Sequence, residues 1–101
     1  MIKILIKYEG NKFDSLEVKG HANSAPYGQD LVCAAVSAII VGGANNLENV
    51  KSLDIKIEEG YTSIKRIKDI SEHDEIVLQT IVCGLKTIEE SYSQFISIKN
   101  L

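Results

Sequence analysis

A chain of 101 residues, 45% apolar and 25% charged, has room for one domain with a modest core and is neither disordered nor fibrous in composition. Its net charge of −3 lacks the basic footprint of nucleic-acid binding and suits a basic polypeptide partner better. The longest apolar run, residues 31–44 broken only by Ser37, is too short to span a bilayer. The two cysteines, Cys33 and Cys83, form no C-x-x-C pair, and the N-terminus alternates like a strand rather than carrying a signal-peptide pattern. These features predict one soluble, cytoplasmic domain over residues 1–101, with no membrane or nucleic-acid partner.

Ile2, Ile4, Ile6 and Tyr8 share one face of an extended segment, with Lys3 and Lys7 on the other. Gly10-Asn11 suits a two-residue hairpin turn, and Leu16 and Val18 carry a second strand to about Lys19. Residues 20–29 hold glycines, a proline, an asparagine and a serine without periodicity, which predicts a loop. A helix is expected to open with Asp30 as its N-cap and to run towards Val50. Its first half is apolar nearly all round, so it needs cover on more than one side, and a second subunit would serve. Gly42-Gly43 weakens this helix but permits close approach by a neighbour.

Leu53, Ile55 and Ile57 alternate with charged residues in a half-buried strand, and Glu59-Gly60 turns the chain into a return strand from Tyr61 to Ile67. Ser71 reads as the N-cap of a second helix, with Glu72 and Asp74 at the positive end of its dipole. Ile76, Val77, Ile81, Leu85, Ile88 and Tyr92 form its expected buried stripe. Residues 94–99 close the chain as a strand. The order β-β-α-β-β-α-β predicts an α+β domain, a mixed sheet with two packed helices.

Chemistry centres on Cys33. With Asp30 as N-cap, the thiol stands in the first helical turn, where unpaired amides and the dipole favour thiolate and could hold an oxyanion. Packing alone would also account for a cysteine in an apolar run. His21, twelve residues earlier, can reach Cys33 across a flexible loop, although the spacing equally allows an exposed loop-edge histidine. Asp30 suits either a cap or an orienting group for His21, and Ser37 lies one turn beyond Cys33 on the same face. Cys83 reads as core, and His73 as an exposed residue without a partner. A zinc site of Cys33, Cys83, His21 and His73 has no ligand pair at finger-like spacing, so no metal or cofactor is expected. A phosphatase-type loop fails for want of an arginine after Cys33.

Gly20-His21-Ala22, followed by residues 28–37 (G-Q-D-L-V-C-A-A-V-S), resembles the signature of the ribosomal-processing cysteine protease family, and the likeness extends over essentially the whole chain. The resemblance implies an endopeptidase that removes a short N-terminal extension from large-subunit ribosomal protein twenty-seven. It implies Cys33 as nucleophile, His21 as general acid/base, and Asp30 and Ser37 as supporting residues. It further implies a homodimer, and a loop containing Ala22, Pro26, Tyr27 and Gly28 that closes over the substrate. Two other readings compete on the residues alone: a non-catalytic module docking on a ribosomal protein, and a thiol-redox protein using Cys33.

Overall fold

The computed structural model describes residues 1–20 and 27–101, with residues 27–30 described by backbone only. The alternating N-terminal segment forms strands β1 (Ile2–Glu9) and β2 (Lys12–Lys19), joined at Gly10-Asn11. Helix α1 spans Tyr27–Ala44, β3 Leu53–Glu58, β4 Tyr61–Arg66, α2 Glu72–Ser91 and β5 Ile96–Asn100. The expected element order and α+β class are found. One sheet runs β3-β4-β2-β1-β5, antiparallel except for the parallel β1–β5 pair, and is therefore mixed.

Pairing places the apolar side chains on one face. Ile4 stands opposite Val18 and Ile98, Ile6 opposite Leu16, and Leu16 opposite Ile64. Directly paired residues share a face of a sheet, so these build one apolar floor. Val32, Val36 and Ile40 of α1, with Leu78, Ile81, Val82, Leu85 and Ile88 of α2, close over it. Lys3 and Lys7 alternate onto the other, open face.

The spacing of Phe13 and Leu16 breaks strict alternation, yet both are buried. A bulge reconciles them: Lys7 pairs with Ser15 and Tyr8 with Phe13, leaving Asp14 as the extra residue. The bulge turns the Phe13 backbone to side-chain partners. Its N–H donates to the Glu75 carboxylate at 3.0 Å, and its carbonyl accepts from Arg66 Nε at 3.2 Å.

Several boundaries depart from the sequence expectation. Helix α1 opens at Tyr27, three residues before Asp30, so Asp30 stands within the first turn and does not cap it. Tyr27 and Gly28 likewise belong to the helix rather than to a loop. A glycine in a helix costs only about 1 kcal/mol, which is too little to delay its start once the apolar face is buried. The helix ends at Ala44, well short of Val50. In α2 the Ser71 cap holds, its Oγ accepting from the Asp74 amide at 3.2 Å. The buried stripe is rotated, however, to Asp74, Leu78, Ile81, Val82, Leu85 and Ile88. Ile76 and Tyr92 are exposed and Val77 is half-buried. Cys83 is exposed rather than core, because the rotation turns it away from the sheet.

The two helices touch through notches. A methyl group at Gly43 would collide with the side chain of Ile81, and one at Gly84 would stand 3.1 Å from Ile39 Cγ2. Gly43→Ala is therefore expected to lower stability by about 1–3 kcal/mol through overpacking. Gly42→Ala, where a new Cβ meets no heavy atom within 4 Å, is expected to raise stability by about 0.5–1 kcal/mol. Urea unfolding of the two variants should give midpoints shifted in opposite directions.

Candidate active site

Cys33 and Ser37 line one groove, bounded on one side by α1 and on the other by the sheet end and the β3–β4 turn. Its volume is about 310 Å³, and its floor is Ile2, Val18, Val36 and Ile40. Ile57 explains why the groove exists. It shares the inward face of β3 with Leu53, which is buried, yet Ile57 is 45% exposed because the helices do not extend over this corner. Cys33 is half-buried at the edge of the uncovered strip and Ser37 is exposed beside it. Helical spacing correctly put the two on one face.

The same groove is lined by Gly20 and Gly60. The Gly20 amide donates to the Gly60 carbonyl at 3.0 Å, adding one rung beyond the Lys19–Tyr61 pair that ends the β2–β4 ladder. Lys19 itself pairs with Glu17 at 3.2 Å, and the Tyr61 hydroxyl reaches Glu17 at 3.4 Å. His21, Ala22 and Pro26 lie outside the described residues, as do the side chains of Tyr27, Gly28 and Asp30. What the structure places is the residue before His21, on the groove that holds Cys33.

The earlier start of α1 changes the expected chemistry at Cys33. Counting from Tyr27, Cys33 is the seventh helical residue, in the second turn. An amide there bonds back four residues along the helix, so it has no free N–H to offer an oxyanion. The helix dipole also fades within the first turn. Activation of the thiol thus depends on a neighbouring group more than on the helix end.

The other candidates stand apart from the groove. A larger apolar cleft of about 560 Å³ runs between α1 and α2, lined by Ile39, Gly43, His73, Ile76 and Ile81 among others, and contains neither Cys33 nor Gly20. His73 therefore opens onto a different cleft from Cys33, against the four-ligand zinc site. His73 also has a partner that its position in sequence did not suggest: its Nδ1 lies 2.8 Å from Asp74 Oδ1. Glu48, His73 and Asp74 place potential ligand atoms within 4.8 Å of one another. The Asp74 oxygens are occupied in structural work, accepting from the Glu48 amide at 2.9 Å and the Asn49 amide at 2.6 Å. This carboxylate ties residues 48–49, which follow α1, to the start of α2.

The family described as "Cysteine protease Prp" matches residues 1–97. The chain belongs to the Prp family of cysteine proteases. A ribosomal processing cysteine protease Prp of Staphylococcus aureus (strain Mu50) is 32% identical over 101 residues, covering 96% of this chain and 94% of that one. The S. aureus Prp structure in complex with a substrate peptide superposes with a TM-score of 0.88 at 29% identity, each chain covered completely. A second S. aureus Prp structure, with a covalently linked product peptide, gives 0.86 at 30% identity, again over all of both chains. The chain is accordingly an enzyme, a cysteine protease and hence a hydrolase. The non-catalytic module and the redox protein are displaced as readings.

Asp74 yields a test independent of the active site. Its side chain is fully buried, and burial alone would raise its pKa; the Glu48 and Asn49 amides and the His73 imidazole outweigh that and hold it below its ordinary value. A carboxyl lowered in the folded state contributes stability that is complete above its unfolded value of about 3.9 and is lost as pH falls through the folded value. Asp74→Asn is expected to cost about 1–3 kcal/mol at neutral pH. Its deficit relative to wild type should shrink below about pH 4, as thermal unfolding at pH 7 and pH 3 would read.

Proposed function

We propose that Cys33 is the nucleophile of this protease and His21 its general acid/base, and that the enzyme removes the short N-terminal extension of large-subunit ribosomal protein twenty-seven. The observation that carries the reading is the shared groove: Cys33, Ser37 and the residue preceding His21 all line it. The alternative thiol, Cys83, is exposed on α2 outside that groove. S. aureus Prp has been captured with a covalently linked product peptide, which agrees with nucleophilic catalysis in this family. Its processing of a ribosomal protein is carried in the name of the S. aureus relative, and a basic substrate suits the net charge of −3 here.

In this mechanism the His21 imidazole takes the Cys33 proton, and the thiolate attacks the scissile carbonyl carbon to form a tetrahedral adduct. Collapse breaks the C–N bond as His21 protonates the departing amine, leaving a thioester on Cys33. His21 then removes a proton from water, which attacks the thioester and releases the carboxylate product and the thiol. Asp30 and Ser37 support this pair from the first and third turns of α1, and Ala22, Pro26, Tyr27 and Gly28 flank the substrate at the helix entry. The reaction requires no metal or cofactor, and the enzyme acts in the cytoplasm without nucleic acid or membrane. A homodimer is part of the same reading. It is supported by the uncovered apolar stripe of α1, on which Leu31 is 56% and Val41 39% exposed.

Incubation with the extended ribosomal protein, followed by mass analysis of the products, tests the assignment. Wild type and Cys83→Ser should make one cut near the substrate N-terminus at equal rates. Cys33→Ala should make none, and His21→Ala should be slower by about 10²–10⁴-fold. Cleavage by Cys33→Ala would remove Cys33 as nucleophile, and the absence of any cut by wild type would exclude this substrate.

A further inference from the structure

We propose that Gly20, Gly60 and the Met1 carbonyl form a two-sided clamp that positions His21 against Cys33, so that the β3–β4 turn and the extreme N-terminus are working parts of the catalytic apparatus. The inference rests on the reading of His21 as the acid/base. It starts from where β2 ends. Strand β2 is flanked in the sheet by β1 on one side and β4 on the other, so its last residue can be gripped from both directions. On the β4 side, the Gly20 amide donates to the Gly60 carbonyl at 3.0 Å. On the β1 side, Gly20 lies so close to the N-terminus that an added Cβ would stand 2.5 Å from the Met1 carbonyl oxygen.

Both glycines are required by their backbone. Gly20 has φ +104° and Gly60 φ +75°, conformations that residues with a side chain seldom adopt. Met1 is itself held down, because the Ile2 amide donates to the Phe95 carbonyl at 2.8 Å and so ties the N-terminus to the segment entering β5. The direction in which the chain leaves Gly20 is thus set by three strands. The next residue is His21, and both clamp glycines line the groove that contains Cys33. A general base works only within hydrogen-bond reach of its proton, and a displacement of about 1 Å can cost on the order of 10²-fold in rate. An anchor one residue away is well placed to supply that precision. Gly20 and Gly60 are positioning residues: their own atoms do no proton transfer.

Two measurements on a Cys83→Ser background test the clamp. The first is steady-state cleavage by Gly20→Ala, Gly60→Val and Gly60→Asn, with thermal unfolding measured alongside. The second is the pH dependence of Cys33 alkylation by iodoacetamide, with His21→Ala as reference. A nearby imidazolium sustains thiolate reactivity well below the range of an unassisted thiol, so this profile reports the pairing directly and needs no substrate. Gly20→Ala is expected to lower kcat by about 10²-fold, with KM near the wild-type value and the protein folded at the assay temperature. Its alkylation profile should shift to that of His21→Ala. Gly60→Val should shift the same way, while Gly60→Asn, which tolerates the left-handed region, should retain the wild-type profile and rate.

A Gly20→Ala or Gly60→Val enzyme that is less stable yet keeps the wild-type alkylation profile would overturn the clamp and leave only a structural role. A His21→Ala profile identical to wild type would remove His21 itself, and the clamp with it, which distinguishes failure of the underlying assignment. If either variant is too unstable to assay, the profile of Gly20→Ser or Gly60→Ala decides on the same criterion.

Discussion

The reciprocal packing of α1 and α2 is the contact on which the architecture turns. Ile81 of α2 sits in the notch at Gly43 of α1, and Ile39 of α1 sits against Gly84 of α2. A glycine inside a helix sacrifices about 1 kcal/mol of propensity, and here the sacrifice lets two helices approach more closely than side chains would allow. Drawn together over the middle of the sheet, the pair covers Ile4, Ile6, Leu16 and Ile64 completely or nearly so. It leaves the β3–β4 corner bare. The groove holding Cys33 is that uncovered corner, so the contact that stabilises the core also defines where a peptide can lie.

Two polar devices complete this arrangement without competing with it. Asp74 fastens the segment after α1 to the start of α2 through two backbone amides and an imidazole. Glu75 and Arg66 satisfy the backbone groups that the β2 bulge turns away from its partner strand. A buried carboxylate would be costly if unpaired, and here its acceptor sites are filled. The cluster of Glu48, His73 and Asp74 therefore reads as a fastening between two helices. Chemistry is left to the opposite side of α1.

Much of this was readable from particular residues. The Ile2-Ile4-Ile6 and Leu53-Ile55-Ile57 alternations located their strands, and Ser71 located the start of α2. The G-H-A and D-L-V-C-A-A-V-S segments pointed to the family. The start of α1 was misjudged, because turn-forming residues at 28–30 are acceptable in a first helical turn once the following face is buried. That shift removes the first-turn argument for Cys33 and transfers its activation to a neighbouring side chain. The α2 stripe was misjudged for a related reason. Ile76, Val77 and Val82 are all apolar, and composition alone does not say which of two adjacent faces meets the sheet.

By itself, the amino-acid sequence determined the element types, their order, the family and the thiol most suited to act as a nucleophile. Those properties depend on side-chain periodicity and on local motifs, which are written in neighbouring residues. Only the tertiary structure decided that Gly20 meets Gly60 forty residues later, that Ile57 is left uncovered, and that His73 pairs with Asp74 rather than facing Cys33. These depend on strand order, register and helix rotation. Each is settled by long-range packing, for which no short stretch of chain carries a signature.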